Sequence, residues 1–102
     1  MATYSELRSL FGYSELRNKI DVACIIAANA IQEEDAGTTN HTERMEWARQ
    51  AFMNPRATSE RMMMAVLAAN KSQTVANIQG ATDAAIQTQV DAAVNLFALG
   101  LA

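Results

Sequence analysis

The chain predicts an all-α protein, a compact bundle of about four main helices with a short N-terminal helical turn. Three observations carry this. No segment alternates apolar and polar residues with a period of two. Apolar residues recur instead at helical spacing between capping signals. And 20 of the 102 residues are Ala, the strongest helix former. The length fits one domain, divided into an N-terminal arm over 1–12, a helical bundle over 13–99 and a tail over 100–102.

Each element follows from its own residues. Ser5 is placed to cap a short turn ending near Phe11, with Gly12 just past it. Ser14 caps a second, longer helix with Glu15 in its first turn. Leu16, Ile20, Ala23, Ala27 and Ile31 form its apolar stripe, and Val22, Ile25 and Ile26 widen it. A helix this apolar is expected at the centre of the bundle, ending around Glu34. Thr38 to Thr42 reads as a loop, and Asn40 with Glu43 resembles a capping box. The next helix carries Met45, Trp47, Ala48, Ala51 and Phe52 and stops at Asn54-Pro55. Pro55 or Thr58 opens the following helix, which runs through RMMMAVLAAN to about Asn70. Ser72 or Thr74 starts a short turn around Val75 and Ile78 that Gly80 closes. Thr82 caps the last helix, which runs to Leu99 with Gly100 beyond. Its Asp83, Ile86, Val90, Ala93 and Phe97 form a single packing edge, too short for a coiled coil.

The five residues YSELR occur twice, at Tyr4–Arg8 and at Tyr13–Arg17. Nine residues at ~100° each set the copies half a turn apart on any continuous helix. Gly12 lets the chain break between them, so each Ser is expected to start its own helix. The second copy flows into the central helix. The first has only a short turn behind it, which makes Tyr4, Leu7, Leu10 and Phe11 candidates for contact with a neighbouring subunit.

The charges point away from nucleic acid. The net charge is −3, and Arg44, Arg49, Arg56 and Arg61 are interleaved with Glu43, Glu46 and Glu60, which reads as a mixed solvated face. Cys24 has no disulfide partner in the chain and sits in VACIIAA, as a small buried hydrophobe in a reducing compartment does. His41 is the one histidine, and no zinc ligand set surrounds it, so it reads as a solvated loop residue. The run Glu33-Glu34-Asp35 lacks the spread of oxygen ligands of a calcium loop and reads as exposed charge. Neither Gly37 nor Gly80 opens a phosphate loop. The expectation is no enzyme, with no catalytic, cofactor-binding or metal residues and no cofactor. Glu6 and Arg8 stand where a secretory leader needs apolar residues, and no run reaches the ~18 apolar residues of a membrane span. A soluble cytosolic-type chain is expected.

Two apolar features exceed what a thin, Ala-rich core needs. Met62, Met63 and Met64 cover about 200° of helix surface, so they cannot all face one core. Met also repacks readily against varied partners. Leu96, Phe97, Leu99 and Leu101 crowd the last seven residues, with no charge after Asp91. These must dock on the bundle itself or on a neighbour.

The segments YSELRNKIDVACIIAANAIQEED, RMMMAVLAANK and GATDAAIQTQVDAAVNLFA together resemble small all-α virion proteins of tailed bacteriophages, of the head–tail connector or adaptor kind. The resemblance spans Tyr13 to Gly100 and lies in helix-rich texture and segment order. It implies a homo-oligomeric ring that docks on the portal and joins it to tail or neck proteins in the virion. It brings no catalytic residue, no membrane and no sequence-specific nucleic acid. Within the same class, a capsid-decorating or other minor virion protein is the alternative. Outside it stand a helical partner module and a small DNA-binding regulator built on the helix pair around Asn54-Pro55.

Phe97→Ala is expected to separate core from interface. A ring buried within its own bundle costs about 3–5 kcal/mol on truncation. A ring against a neighbour leaves the isolated chain's stability unchanged while assembly is lost, as denaturation and light scattering report.

Overall fold

The structure, a computed structural model, describes residues 1–100. Those residues form six α-helices and one 3-10 turn, with no strand among them. The helices are α1 (Tyr4–Ser9), α2 (Ser14–Glu33), α3 (His41–Met53), α4 (Pro55–Ala69), α5 (Val75–Gln79) and α6 (Asp83–Ala98), and the 3-10 turn spans Leu10–Gly12. The all-helical, compact architecture is as expected. The helix count is six rather than about four, because the short turns at α1 and α5 close into α-helix.

Local chemistry sets the boundaries, not always through the expected residue. Thr3, not Ser5, caps α1: its hydroxyl accepts the Glu6 N–H at 3.2 Å, and Glu6 accepts the Thr3 N–H at 3.0 Å. Helix α2 does begin at Ser14, but its cap position is Tyr13 and no side chain caps it. Asn40 precedes α3 in a left-handed conformation (φ 59°) that Asn tolerates, and makes no capping-box bond. Asn54 and Pro55 divide α3 from α4 as read from the sequence, with Pro55 in the first turn of α4. Thr74 and Thr82 cap α5 and α6 through the N–H groups of Asn77 and Ala85. Gly100 follows α6 at φ 76°, where a side chain is strained, and donates to the Phe97 carbonyl.

Helix α2 gathers the others. Leu16, Ile20, Ala23, Cys24, Ala27, Ala28 and Ile31 are buried along one face, against Trp47 and Ala48 of α3, Met62, Met63, Val66 and Leu67 of α4, and Ile86, Val90, Ala93 and Val94 of α6. Helices α2 and α3 form an antiparallel hairpin, tied at one end where Arg44 grips Glu34. Helix α6 runs alongside α2 in the same direction. Lys19 donates to the Ala81 carbonyl at 2.7 Å, and Gln87 to the Ala23 carbonyl at 3.1 Å. Helix α4 lies antiparallel to α6, with Asn70 bonded to Gln89 near one end and Arg61 over the Phe97 ring near the other.

The expectation that Val22, Ile25 and Ile26 widen the core stripe is overturned. They lie across α2 from the buried row, roughly 120–170° away from its middle at ~100° per residue, and stay 55, 56 and 51% exposed. The methionine run divides: Met62 and Met63 are buried in the core, and Met64 is 62% exposed.

That division is open to measurement. Met62→Ala is expected to cost about 2–5 kcal/mol in urea denaturation, within the range for truncating a buried methionine. Met64→Ala is expected to stay within about 0.5 kcal/mol of the parent, as at an exposed position.

Candidate functional site

Two apolar surfaces stand out on the bundle, and they lie on different helices. The first is a groove between α1 and α4. The Ala2 N–H donates to the Gln73 carbonyl at 2.8 Å, and Arg17 reaches toward Glu60, so the N-terminal arm runs antiparallel along α4. Tyr4, Leu7 and Phe11 on one wall and Met64, Leu67 and Ala68 on the other enclose a volume of about 630 Å³. Arg8 and Lys71 border it, and among the described residues neither side chain has a hydrogen-bond or ion-pair partner.

The two YSELR copies part company here. Leu16 is fully buried in the core, whereas Leu7 is a half-buried wall of the groove. Arg17 donates to the Phe11 carbonyl at 2.9 Å, fastening the arm to α2. Arg8 stays at the groove's edge.

The second surface is the ridge of α2 formed by Val22, Ile25 and Ile26. The exposed, polar Asn29 continues it, and it ends one turn later at Glu33. A furrow runs along each side. One lies against α6 beside Asp83, Ala84 and Gln87. The other lies against Phe52, Pro55 and Arg56, with Cys24 and Ser59 at its floor.

The interface candidates read from the sequence are thus sorted by burial. Tyr4, Leu7, Phe11 and Met64 meet in one groove. Leu10, Met62 and Met63 lie in the core and are closed to a partner, because Leu10 anchors the arm and the two methionines face α2 and α6. Phe97 is half-buried, packed on the core beneath Arg61. Leu96 and Leu99 face solvent at the end of α6. Leu101 lies outside the described residues. Sequence reasoning missed the α2 ridge, although the unbroken apolar run VACIIAA, which must face every side of a helix, was its signal.

Several polar groups are committed to structure. His41 is not a free loop residue: it opens α3, with Nδ1 3.0 Å from Glu34 Oε1. Arg44 Nε reaches both Glu34 oxygens at 3.1 and 3.2 Å and donates through Nη1 to Asn95. Glu34 is therefore a partly buried clamp joining the end of α2 to α3, with Arg44 carrying the link on to α6, and not exposed charge. Ser59 donates to Asp21, and the single histidine is held by Glu34. The indole N–H of Trp47 is buried with no acceptor among the described residues. No group of His, Cys, Asp and Glu suited to a metal ion occurs among the described residues. No described helix is long and apolar enough to cross a membrane. What the arrangement offers is apolar contact area with a few unpaired charges at its margins. No family model, curated protein or solved structure matches the chain.

Cys24 gives a pH test of the packing beneath the ridge. Burial first, and the Asp21 carboxylate second, push its thiol up to about 12 from an ordinary 9.0. The folded state favours the neutral thiol, so this stabilisation is complete below pH 9 and is lost as pH rises toward 12. Urea denaturation is expected to show stability falling above pH 9, with part of the fall absent in Cys24→Ala. At about pH 8 a thiol reagent is expected to label Cys24 only after unfolding, and rapid native labelling contradicts the burial.

Proposed function

We propose that this chain is a structural subunit of a tailed-bacteriophage virion, set at the head–tail junction. There copies of it form a ring that docks on the portal and joins it to tail or neck proteins. The reading assigns the chain no catalytic step and no cofactor, and puts it in the virion after assembly in the host cytoplasm. The observation that carries it is α2, a helix apolar on both faces through its middle turns, with only one face covered. A helical stretch hydrophobic all round belongs inside a larger body of protein, and in this reading neighbouring subunits supply the rest of that body. The sequence resemblance supplies the particular setting.

Mass spectrometry of purified particles, with immunogold or cryo-EM localisation, tests the reading. Expected is a small ring's worth of copies at the single portal vertex. Absence from particles overturns the proposal. Hundreds of copies across the shell replace the connector role with capsid decoration.

A further inference from the structure

The two apolar surfaces match each other in length, shape and charge. Val22 to Asn29 spans eight residues of α2, about 10 Å of ridge, aliphatic at its start and polar at its end. Met64 to Lys71 spans eight residues along α4 and the turn after it, about 10 Å of groove, apolar at its start and basic at its end. The ridge is convex. The groove is concave and lined by Leu7, Phe11, Met64 and Leu67, and its flexible Met64 is suited to moulding around branched side chains.

The charges fall at corresponding margins. The ridge ends in Glu33, whose side chain has no hydrogen-bond or ion-pair partner among the described residues, and Asp35 follows it. The groove is bordered by the side chains of Arg8 and Lys71, both unpartnered among the described residues. With Val22 seated between Phe11 and Met64, Ile25 and Ile26 fall beside Leu7 and Leu67. Asn29 then comes level with Lys71, and Glu33, one turn further, projects past the groove's end within reach of that long cationic side chain. Two copies joined ridge to ridge in parallel would instead set Glu33 against Glu33.

We infer that the occupant of the α1/α4 groove is the α2 ridge of a second copy of this chain, so that copies join head to tail. Ridge and groove share no residue, and each helix turns its buried row toward the same core, so the two surfaces point away from the bundle on different sides. One molecule therefore offers its ridge to one neighbour and its groove to another. Such a contact is heterologous: it closes into a ring where the rotation per subunit divides a full turn, and extends into a filament where it does not.

This inference rests on the assembly reading above, but it stands or falls on the purified full chain alone. Two exposed-position variants break one surface each: Ile26→Asp on the ridge and Met64→Asp in the groove. Circular dichroism and thermal melts check that both fold. By light scattering and analytical ultracentrifugation, the parent chain is expected to form concentration-dependent oligomers and each variant to remain monomeric. An equimolar mixture of the two variants is expected to give a 1:1 heterodimer that grows no further, since one intact ridge meets one intact groove. The charges provide a second route: Glu33→Lys or Lys71→Glu alone is expected to weaken association about tenfold or more, and the double reversal to restore most of it. Any of three results overturns the inference: a parent chain monomeric up to millimolar concentration, a variant that still oligomerises, or a mixture that stays monomeric. A parent dimer abolished by Ile26→Asp and untouched by Met64→Asp overturns it as well, and assigns the ridge to a two-fold contact. A monomeric parent found nevertheless at the portal vertex overturns the head-to-tail contact and leaves the virion role standing, with the groove taken by another virion protein.

Discussion

Everything in this bundle is referred to one helix. The inward row of α2 runs from Leu16 through Ile20, Ala23, Ala27 and Ala28 to Ile31, and the three alanines in its middle let neighbouring backbones come close. Polar ties then fix its rotation: Lys19 to Ala81, Gln87 to Ala23, Ser59 to Asp21, and Glu34 to His41 and Arg44. With helices α3, α4 and α6 gripping it from the core side, α2 has no freedom to turn Val22, Ile25 and Ile26 inward. The same contacts that stabilise the fold hold an aliphatic ridge out in the water.

Much of the fold was legible in the residues, and the losses have physical causes. Periodicity and the Asn54-Pro55, Gly80 and Gly100 punctuation located the four long helices to within a residue or two, because these signals act through local backbone geometry. Caps were harder. Ser5 and Ser14 are good capping residues, yet Thr3 captured the first helix because Glu6 reciprocates its hydrogen bond, and Tyr13 took the second position with no side-chain bond. Such choices turn on one rotamer, which a pattern of residue types does not specify. The ridge was missed for a different reason. Apolar spacing says which residues share a face of α2, and it does not say how many partners that helix has.

The candidate surfaces divided along the same line. Three consecutive methionines had to diverge in direction, but which one faced outward depends on the rotation of α4 against α2 and α6, a tertiary quantity. Arg8 and Arg17 occupy equivalent places in identical pentapeptides, and only the break at the 3-10 turn makes one a fastening and the other a free cation. A core rich in Ala and a surface that displays large aliphatic side chains are two aspects of one composition. Part of the apolar surface therefore stays outside the core, at Val22, Ile25, Ile26 and Met64.

One wall of the groove is held less firmly than the other. Helix α1 contributes no fully buried residue. The arm is retained by Ala2 and Leu10 in the core, by half-buried Leu7 and Phe11, by the Arg17 bond to the Phe11 carbonyl, and by a backbone hydrogen bond from Ala2 to Gln73. Its opening therefore costs less free energy than unfolding of the bundle, which places it among the first segments to exchange with solvent. In the proposed head-to-tail contact an incoming helix would meet this less firmly held wall, and seating it would restrain the arm. Part of the affinity of that proposed contact would be spent on the restraint, which ties its strength to how well the arm is latched.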